Sequence, residues 1–177
     1  EVFFEYCPAK IFAVTGSNGK TTTTTLIAKM LEAEGNRVFL GGNIGKALMP
    51  ELDNITERDI AVVELSSFQL LTMGNLVKKP DVAVVTNIEC THQDHPRGIS
   101  LDEYVDAKRN ILIYQDSSAR TVLNADCDYS IGGTVYHDMR FDVRGMLSQF
   151  SIKHPVERGA YMDAATGDII YTDGENK

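Results

Sequence analysis

The sequence predicts one α/β domain with a mostly parallel P-loop-type sheet, flanking helices and a small antiparallel β subsheet at its C-terminal end. Short β-branched runs alternate with segments of helical period through the first two thirds of the chain. Two of these runs, "DIAVVEL" (59–65) and "DVAVVTNI" (81–88), are almost continuously apolar, which is typical of strands covered on both faces. At 177 residues and 43% hydrophobic content, the chain is long enough for one domain with a real core.

The first strand and the first helix are predicted from residues 11–35. Residues 11–15 form a strand-like run, and a helical period begins at residue 21. Gly35 is placed to end that helix, and a second strand begins at residue 37. The helix is expected to bury one apolar face, which consists of Leu26, Ile27, Met30 and Leu31.

The second half of the chain predicts another helix and several short strands. Ser100 and Glu103 have capping-box spacing, so a helix is expected over 101–114. Its apolar and amphipathic positions at helical spacing are Tyr104, Val105, Lys108, Ile111 and Leu112. "TVLN" (121–124) predicts a strand, and the glycine-punctuated segments beyond residue 130 predict small antiparallel strands and hairpins.

Composition excludes several classes of protein. A formal net charge of −8 disfavours a general nucleic-acid surface, because phosphate backbones are bound by clustered basic residues. Cys7, Cys90 and Cys127 are odd in number and lack metal-ligand spacing, which indicates neither a disulfide framework nor a zinc site. No run approaches the roughly 20 apolar residues of a membrane span. We therefore expect a cytoplasmic protein with neither nucleic-acid nor membrane partners. Independently of composition, we expect a monomer.

The segment "TGSNGKT" (15–21) predicts a phosphate-binding loop between a buried strand and a helix. Gly16 and Gly19 let the backbone turn so that its N–H groups point at an anion, such as a nucleotide phosphate. In a P-loop, Lys20 would reach the β- and γ-phosphates of a nucleotide and the Thr21 hydroxyl would coordinate Mg²⁺. The loop departs from the full pattern, because Val14 occupies the position of the first glycine. The residues expected to contact the nucleotide are Gly16, Ser17, Asn18, Gly19, Lys20, Thr21 and Thr22.

A plain strand-to-helix turn is the alternative interpretation of this loop. For the later threonines, residues 22–25, a purely structural role in the helix is favoured. Their hydroxyls can bond local backbone groups in the first turns of the helix, so one threonine is expected to bind metal.

Polar residues follow the strands at one edge of the predicted sheet. Thr15, Glu64, Asn87 and Asn124 all come at carboxyl ends, where ligands bind in open α/β sheets. Glu64 is either a metal ligand or simply a polar residue at the end of a strand. The neighbouring phosphate loop favours the metal ligand, because Mg²⁺ takes oxygen ligands together with substrate phosphates.

Six motifs occur in the order found in Mur ligases, and the resemblance covers nearly the whole chain. They are "TGSNGKTT" (15–22), "GGNIG" (41–45), "ELSSFQL" (64–70), "TNIECTHQD" (86–94), "DEYVDAKRNI" (102–111) and "VLNAD" (122–126). The chain resembles the central ATPase domain of this family. "GGNIG" followed by "ELSSFQL" is most similar to the branch that joins D-glutamate to UDP-N-acetylmuramoyl-L-alanine in peptidoglycan synthesis.

The resemblance implies roles for individual residues. Lys20 is similar to the phosphate lysine, Thr21 and Glu64 to ligands of one Mg²⁺, and His92 to the ligand of a second. Lys108 matches a catalytic lysine that CO₂ carbamylates, so that an amine becomes a carboxylate able to support Mg²⁺. Other matches are substrate contacts at Asn43, Ser66 and Gln69 and an adenine neighbour at Asn124.

The resemblance also implies a reaction. ATP converts a carboxylate to an acyl phosphate, an incoming amine attacks it, and phosphate leaves through a tetrahedral intermediate. Full ligases add a UDP-binding domain before this unit and another domain after it, so we expect residues 1–177 to be a single central domain that is inactive alone. Around His92 the sequence "THQDHP" departs from the family pattern, which makes that ligand less secure and leaves His95 as a competing ligand or a supporting group.

Two other functions stay open. A folylpolyglutamate-type ligase shares the fold and the ATP chemistry, although "SSFQL" after Glu64 disfavours it. A nucleotide-binding module that has lost catalysis would also account for the altered "THQDHP" segment.

Overall fold

A computed structural model describes most of the chain. It covers residues 2–73, 79–89, 100–113, 115–127, 129–131, 134–136, 141 and 143–174. In these residues, no helix is long and apolar enough to cross a membrane.

Helices and strands alternate as far as the fifth strand, and strands alone follow in the described part of the chain. The helices are α1 (Val2–Tyr6), α2 (Lys20–Ala33), α3 (Ser67–Thr72) and α4 (Leu101–Arg109), with 3₁₀ turns at Met49–Asn54 and Asn110–Leu112. The first five strands are β1 (Lys10–Thr15), β2 (Val38–Gly42), β3 (Ile60–Glu64), β4 (Val82–Val85) and β5 (Arg120–Asn124). They are followed by β6 (Tyr129–Ile131), β7 (Thr134–Tyr136), β8 (Met146–Ser151), β9 (Gly159–Met162) and β10 (Ile169–Thr172).

Eight of these strands form one sheet in the order β10-β9-β8-β5-β4-β1-β3-β2. Every neighbouring pair is parallel except β9 with β10, and β6 pairs with β7 as a separate antiparallel hairpin. The predicted fold class is therefore confirmed. One detail differs. The segment "SQFSI" (148–152) is one of those beyond residue 130 that were expected to be antiparallel, but residues 148–151 lie in β8, which extends the parallel sheet beside β5.

Both faces of the central strands are covered, which explains their uninterrupted apolar sequence. On one face, Ile60 and Val62 of β3 pack with Ala28 of α2. On the other face, alternate residues of the same strands join the larger core under the remaining helices, as Ala61 and Val63 do. Because these strands are paired in parallel, the carboxyl ends of β1, β3, β4 and β5 lie along one edge of the sheet.

The buried face of α2 was only half predicted. Ile27 and Leu31 pack against the sheet, but Leu26 is 55% exposed and Met30 is 68% exposed. The buried positions of the helix are Thr24 and Ala28, so the stripe toward the sheet runs at i, i+3, i+4 and i+7 from Thr24. Leu26 and Met30 are each two residues from Ala28, about 200° around the helix, so they face away from the sheet.

The difference between the two leucines of α2 generates a stability prediction. Leu31→Ala should lower the free energy of unfolding by about 1–2 kcal/mol, since truncation of a packed leucine removes burial. Leu26→Ala should change it by less than about 0.5 kcal/mol, as expected for an exposed site. Urea denaturation of both variants measures the difference. Equal losses of unfolding free energy would mean that Leu26 is buried as the sequence predicts.

Candidate functional site

The loop between β1 and α2 turns at Gly16, where only glycine fits. Its φ is +147°, and a Cβ atom at this position would lie 1.9 Å from the Thr86 hydroxyl oxygen. A side chain here would therefore clash with the end of β4 as well as strain the backbone. This glycine is required so that the loop can lie directly against the edge of the sheet.

Residues after β4 hold the loop in place. Asn87 accepts two hydrogen bonds from it, one from Ser17 N to its carbonyl at 2.9 Å and one from Asn18 N to its side chain at 2.8 Å. The Thr86 hydroxyl donates to the carbonyl of Asn18 at 2.6 Å. The loop is thus held in its turn by the residues that follow the neighbouring strand.

The loop delivers the start of α2 to the same edge. Gly19 is the N-cap, with a left-handed φ of +79° and no side-chain capping bond. The N–H groups of a helix's first turn have no partner within the helix, and the dipole makes this end partly positive. Lys20 adds a cation at this turn. Its ammonium is held there by hydrogen bonds that it donates to the carbonyls of Gly16 and Ser17, at 2.9 Å each. Together these groups form a concave, positively charged turn suited to an anion.

Glu64 lies beside this turn with its carboxylate held from two directions. Thr21 Oγ1 donates to Oε2 at 2.8 Å, and Asn43 Nδ2 donates to Oε1 at 3.0 Å. Asn43 reaches it because Gly42, with a φ of +102°, passes so close to Glu64 that a Cβ would lie 2.2 Å from the Glu64 carbonyl oxygen. The structure therefore brings together Thr21, Glu64 and Asn43, which are far apart in sequence.

Lys108 is not the surface residue that its place on a helix would suggest. It is only 1% exposed, and its ammonium donates to the carbonyl of Gly16 at 2.9 Å. Burial, with a smaller contribution from the charge of Lys20, lowers the pKa of Lys108 to about 7. Near neutral pH a large fraction of this amine is therefore uncharged and nucleophilic.

Tyr104 belongs to the site, although the sequence pattern identified it only as a position at helical spacing in the 101–114 helix. Its hydroxyl shares a 2.9 Å hydrogen bond with Ser17 Oγ, and the Lys108 ammonium lies 4.3 Å from its ring centroid. Burial raises the pKa of Tyr104, so the phenol keeps its proton. The available signal was its spacing, since a residue four positions before Lys108 shares its helix face.

These groups surround a pocket of about 190 Å³. Its lining residues are Gly16, Ser17, Lys20, Asn43, Ser66, Ser67, Phe68, Tyr104 and Lys108. Six of the predicted site residues therefore meet at this pocket, namely Gly16, Ser17, Lys20, Asn43, Ser66 and Lys108.

Ser66 and Gln69 have a local structural role at the start of α3, a helix that the sequence analysis did not predict. Ser66 Oγ accepts from Gln69 N, and Gln69 Oε1 accepts from both the backbone and the hydroxyl of Ser66, which forms a capping box. Ser66 lines the 190 Å³ pocket. Gln69 instead borders a second, apolar pocket of about 220 Å³ beside Phe3, Phe4 and Met73.

Asn124 ends β5 on the predicted edge and is half-buried. Its Nδ2 donates to the carbonyl of Thr86 at 2.9 Å, and its Oδ1 accepts from Asp126 N at 2.8 Å. In the threonine run, Thr24 behaves as expected, since its hydroxyl donates to the carbonyl of Lys20 at 2.7 Å. Thr22 is exposed in the first turn of α2.

The predicted second metal ligand cannot be placed, because His92, His95 and the segment around them lie outside the described residues. Within the described part of the chain, no group of three or more His, Cys, Asp or Glu side chains is arranged to hold a metal ion. A cation at the Thr21–Glu64 pair would therefore need further oxygen atoms from a ligand or water.

Comparison with known proteins gives the site a family context. The sequence matches the Mur ligase middle domain over residues 14–148. It is 46% identical over 177 residues to a UDP-N-acetylmuramoylalanine--D-glutamate ligase of Acetivibrio thermocellus, covering 100% of this chain and 35% of that protein. A ligase of the same name from Ruminiclostridium cellulolyticum is 45% identical, over 90% of this chain and 32% of its own length. The chain thus spans about a third of the length of these relatives.

Solved structures share the fold. A UDP-N-acetylmuramoyl-L-alanyl-D-glutamate--2,6-diaminopimelate ligase has a TM-score of 0.62 at 23% identity, covering 87% of this chain and 34% of that one. The MurF ligase of Thermotoga maritima, solved in complex with ADP, has a TM-score of 0.58 at 20% identity, with coverage of 86% and 34%. FolC of E. coli, also with ADP, has a TM-score of 0.57 at 17% identity, with coverage of 95% and 48%.

The family assignment rests on the sequence match, since solved structures at such low identity show the fold alone. The match includes the β1–α2 loop, Glu64 and Lys108. This chain belongs to the Mur ligase family and contains its middle domain.

Proposed function

We propose that this chain is the ATP-binding catalytic unit of a ligase that adds D-glutamate to UDP-N-acetylmuramoyl-L-alanine during peptidoglycan synthesis. One observation carries the proposal: the uncapped start of α2 and two lysine amines converge on one pocket beside a hydroxyl–carboxylate pair. The residues around that pocket fit the transfer of a phosphoryl group to a carboxylate, in which positioned cations and N–H groups stabilise migrating negative charge.

The site fits ATP with Mg²⁺ on chemical grounds. The helix N-terminus, with Lys20, would hold the phosphates. Thr21 Oγ1 and the Glu64 carboxylate, which are already 2.8 Å apart, are oxygen donors of the kind that Mg²⁺ takes alongside phosphate and water. When bound, ATP supplies the phosphoryl group that activates the carboxylate, and Mg²⁺ neutralises charge. Asn124 would lie beside the adenine, at the end of the neighbouring strand β5.

Lys108 is the group best suited to carbamylation. Its neutral amine would attack CO₂, a new C–N bond would form as one C=O bond becomes C–O⁻, and the proton would leave to water. The product is a carboxylate on the α4 side of the loop, where it would support a second cation together with His92. The lowered pKa of Lys108 supports this step, because only the uncharged amine reacts.

The substrates and the domain organisation are further parts of the proposal. The relatives named as D-glutamate ligases match this chain at 42–46% identity, which favours D-glutamate as the added amino acid. Asn43, Ser66 and Gln69 would contact the muramoyl peptide. Residues 1–177 would form the central domain alone, with UDP and D-glutamate bound mainly by domains before and after it. A folylpolyglutamate-type ligase is less favoured, since FolC resembles this chain only at the level of fold.

The phosphate loop generates a binding prediction. Lys20→Ala should weaken binding of a non-hydrolysable ATP analogue by about tenfold or more, because a charge-assisted contact is lost. Thr21→Val should weaken binding strongly with Mg²⁺ and little without it. Thr24→Val is the matched control, since that hydroxyl bonds only the backbone of its own helix.

Calorimetry with and without Mg²⁺ measures these affinities, and circular dichroism checks the fold of each variant. Unchanged affinity in Lys20→Ala would remove the phosphate-loop assignment. Equal losses in the two threonine variants would mean that the threonine run acts as a unit.

The state of Lys108 generates a pH prediction. Because its pKa is lowered to about 7, incorporation of ¹³C-bicarbonate as a carbamate should rise between about pH 6 and pH 8 at fixed dissolved CO₂. Lysines with ordinary pKa values near 10.4 should not react over that range. Carbon NMR detects the side-chain carbamate, and an N-terminally blocked protein removes the competing α-amino carbamate, which forms in the same pH range. Lys108→Met should abolish the side-chain signal, and Lys29→Met is the exposed control. A side-chain signal that survives in Lys108→Met would contradict the assignment.

Full ligation tests the proposed reaction and the domain assignment. The 177-residue chain should bind ATP weakly and form no ligated product, because near-attack geometry is lost when reacting groups are not held together. A three-domain protein carrying this sequence should release phosphate only with both UDP-N-acetylmuramoyl-L-alanine and D-glutamate. Ligation by the short chain alone, or release that depends on a folate acceptor, would contradict the proposal.

A further inference from the structure

We propose that Tyr104 is a positioning residue that fastens α4 to the phosphate loop: its hydroxyl sets the loop and its ring encloses the amine of Lys108. The inference rests on the proposed function and deepens it, because neither the sequence motifs nor the family match assigns this tyrosine a role. It follows from contacts on both sides of one buried side chain.

The hydroxyl side of Tyr104 contacts the loop. Its oxygen lies 2.9 Å from Ser17 Oγ, and both residues are less than 10% exposed. Ser17 Oγ also accepts the backbone N–H of Glu89 at 3.0 Å, so the same hydroxyl joins α4, the loop and the segment after β4. Loss of a partner from such a buried group leaves it unsatisfied. We therefore expect the tyrosine hydroxyl to hold residues 16–18 in the conformation that receives phosphate.

The ring side of Tyr104 contacts the lysine. The Lys108 ammonium is 4.3 Å from the ring centroid and donates to the Gly16 carbonyl. A cation–π contact favours the charged amine, whereas exclusion of water favours the neutral one. Lys108 is only 1% exposed, so the ring is part of the covering that excludes water from its amine. The ring therefore keeps the amine dry and aimed at the loop.

These contacts form a two-point connection along one helix. Tyr104 and Lys108 lie one turn apart on α4, and they bond consecutive loop residues, Ser17 and Gly16. Phenylalanine could supply the ring without the hydroxyl, and leucine could supply neither. The two functions of Tyr104 can therefore be separated by substitution.

The test uses Tyr104→Phe and Tyr104→Leu with three measurements on the 177-residue chain. The first is calorimetric affinity for a non-hydrolysable ATP analogue with Mg²⁺. The second is the Lys108 carbamate signal at fixed pH and CO₂, and the third is hydrogen exchange of the Ser17 and Asn18 amides without nucleotide. Val105→Ala is the control, because Val105 is fully buried next to Tyr104 on α4 but belongs to the apolar core.

Tyr104→Phe should weaken nucleotide binding by about five- to tenfold and speed loop amide exchange by a similar factor, while the carbamate signal stays. Tyr104→Leu should lose at least about half of the carbamate signal as well, because water then reaches the amine. Val105→Ala should lower stability without either change. If Tyr104→Phe matches wild type in both affinity and exchange, or if Val105→Ala reproduces its losses, the inference is wrong.

Failure of the proposed function has a different signature. Wild-type protein that binds no nucleotide would contradict ATP binding, and hydrogen exchange of the loop would still decide the role of Tyr104. An unchanged carbamate signal in Tyr104→Leu would remove the role of the ring alone.

Discussion

The carbonyl oxygen of Gly16 is the point on which the site depends, because it accepts hydrogen bonds from both Lys20 and Lys108. The Lys108 amine is buried, whereas Lys20 is partly exposed. Burial, with a smaller contribution from the charge of Lys20, lowers the pKa of Lys108 to about 7. Two lysines that share one acceptor therefore lie in different environments, and the buried one is the amine that we propose for chemistry.

That arrangement requires the loop and the sheet edge to lie unusually close. Gly16 lies against Thr86, and Gly42 lies against Glu64, in each case at a distance that excludes any Cβ atom. The two glycines serve different halves of the site: the first brings the loop onto β4, and the second brings Asn43 to the carboxylate of Glu64. The parallel sheet supplies the edge, but these two close approaches set the distances along it.

The sequence contained enough information for the fold class and for much of the site, and the reasons for its failures are physical. Apolar runs revealed the central strands because burial on both faces leaves little choice of residue. Helical period alone could not choose between the two stripes of α2, since Thr24 and Ala28 define the buried one while carrying little hydrophobicity. The short helix α3 was missed, and the burial of Lys108 depended on a carbonyl 92 residues away. His92 stays a prediction, and the chemical roles of the other site residues are likewise proposals.

The capping box at the start of α3 carries a consequence for substrate affinity. Gln69 Oε1 already accepts two hydrogen bonds from Ser66. A ligand that takes the place of Ser66 at Gln69 Oε1, or of Gln69 at the Ser66 hydroxyl, must compete with the helix, so such a contact replaces an existing one and adds little net free energy. Removing a cap costs a helix about 1 kcal/mol, roughly a fivefold change in an equilibrium constant. If the proposed substrate binds through these two groups, its contacts would select for geometry, and the helix end would re-form when the product leaves.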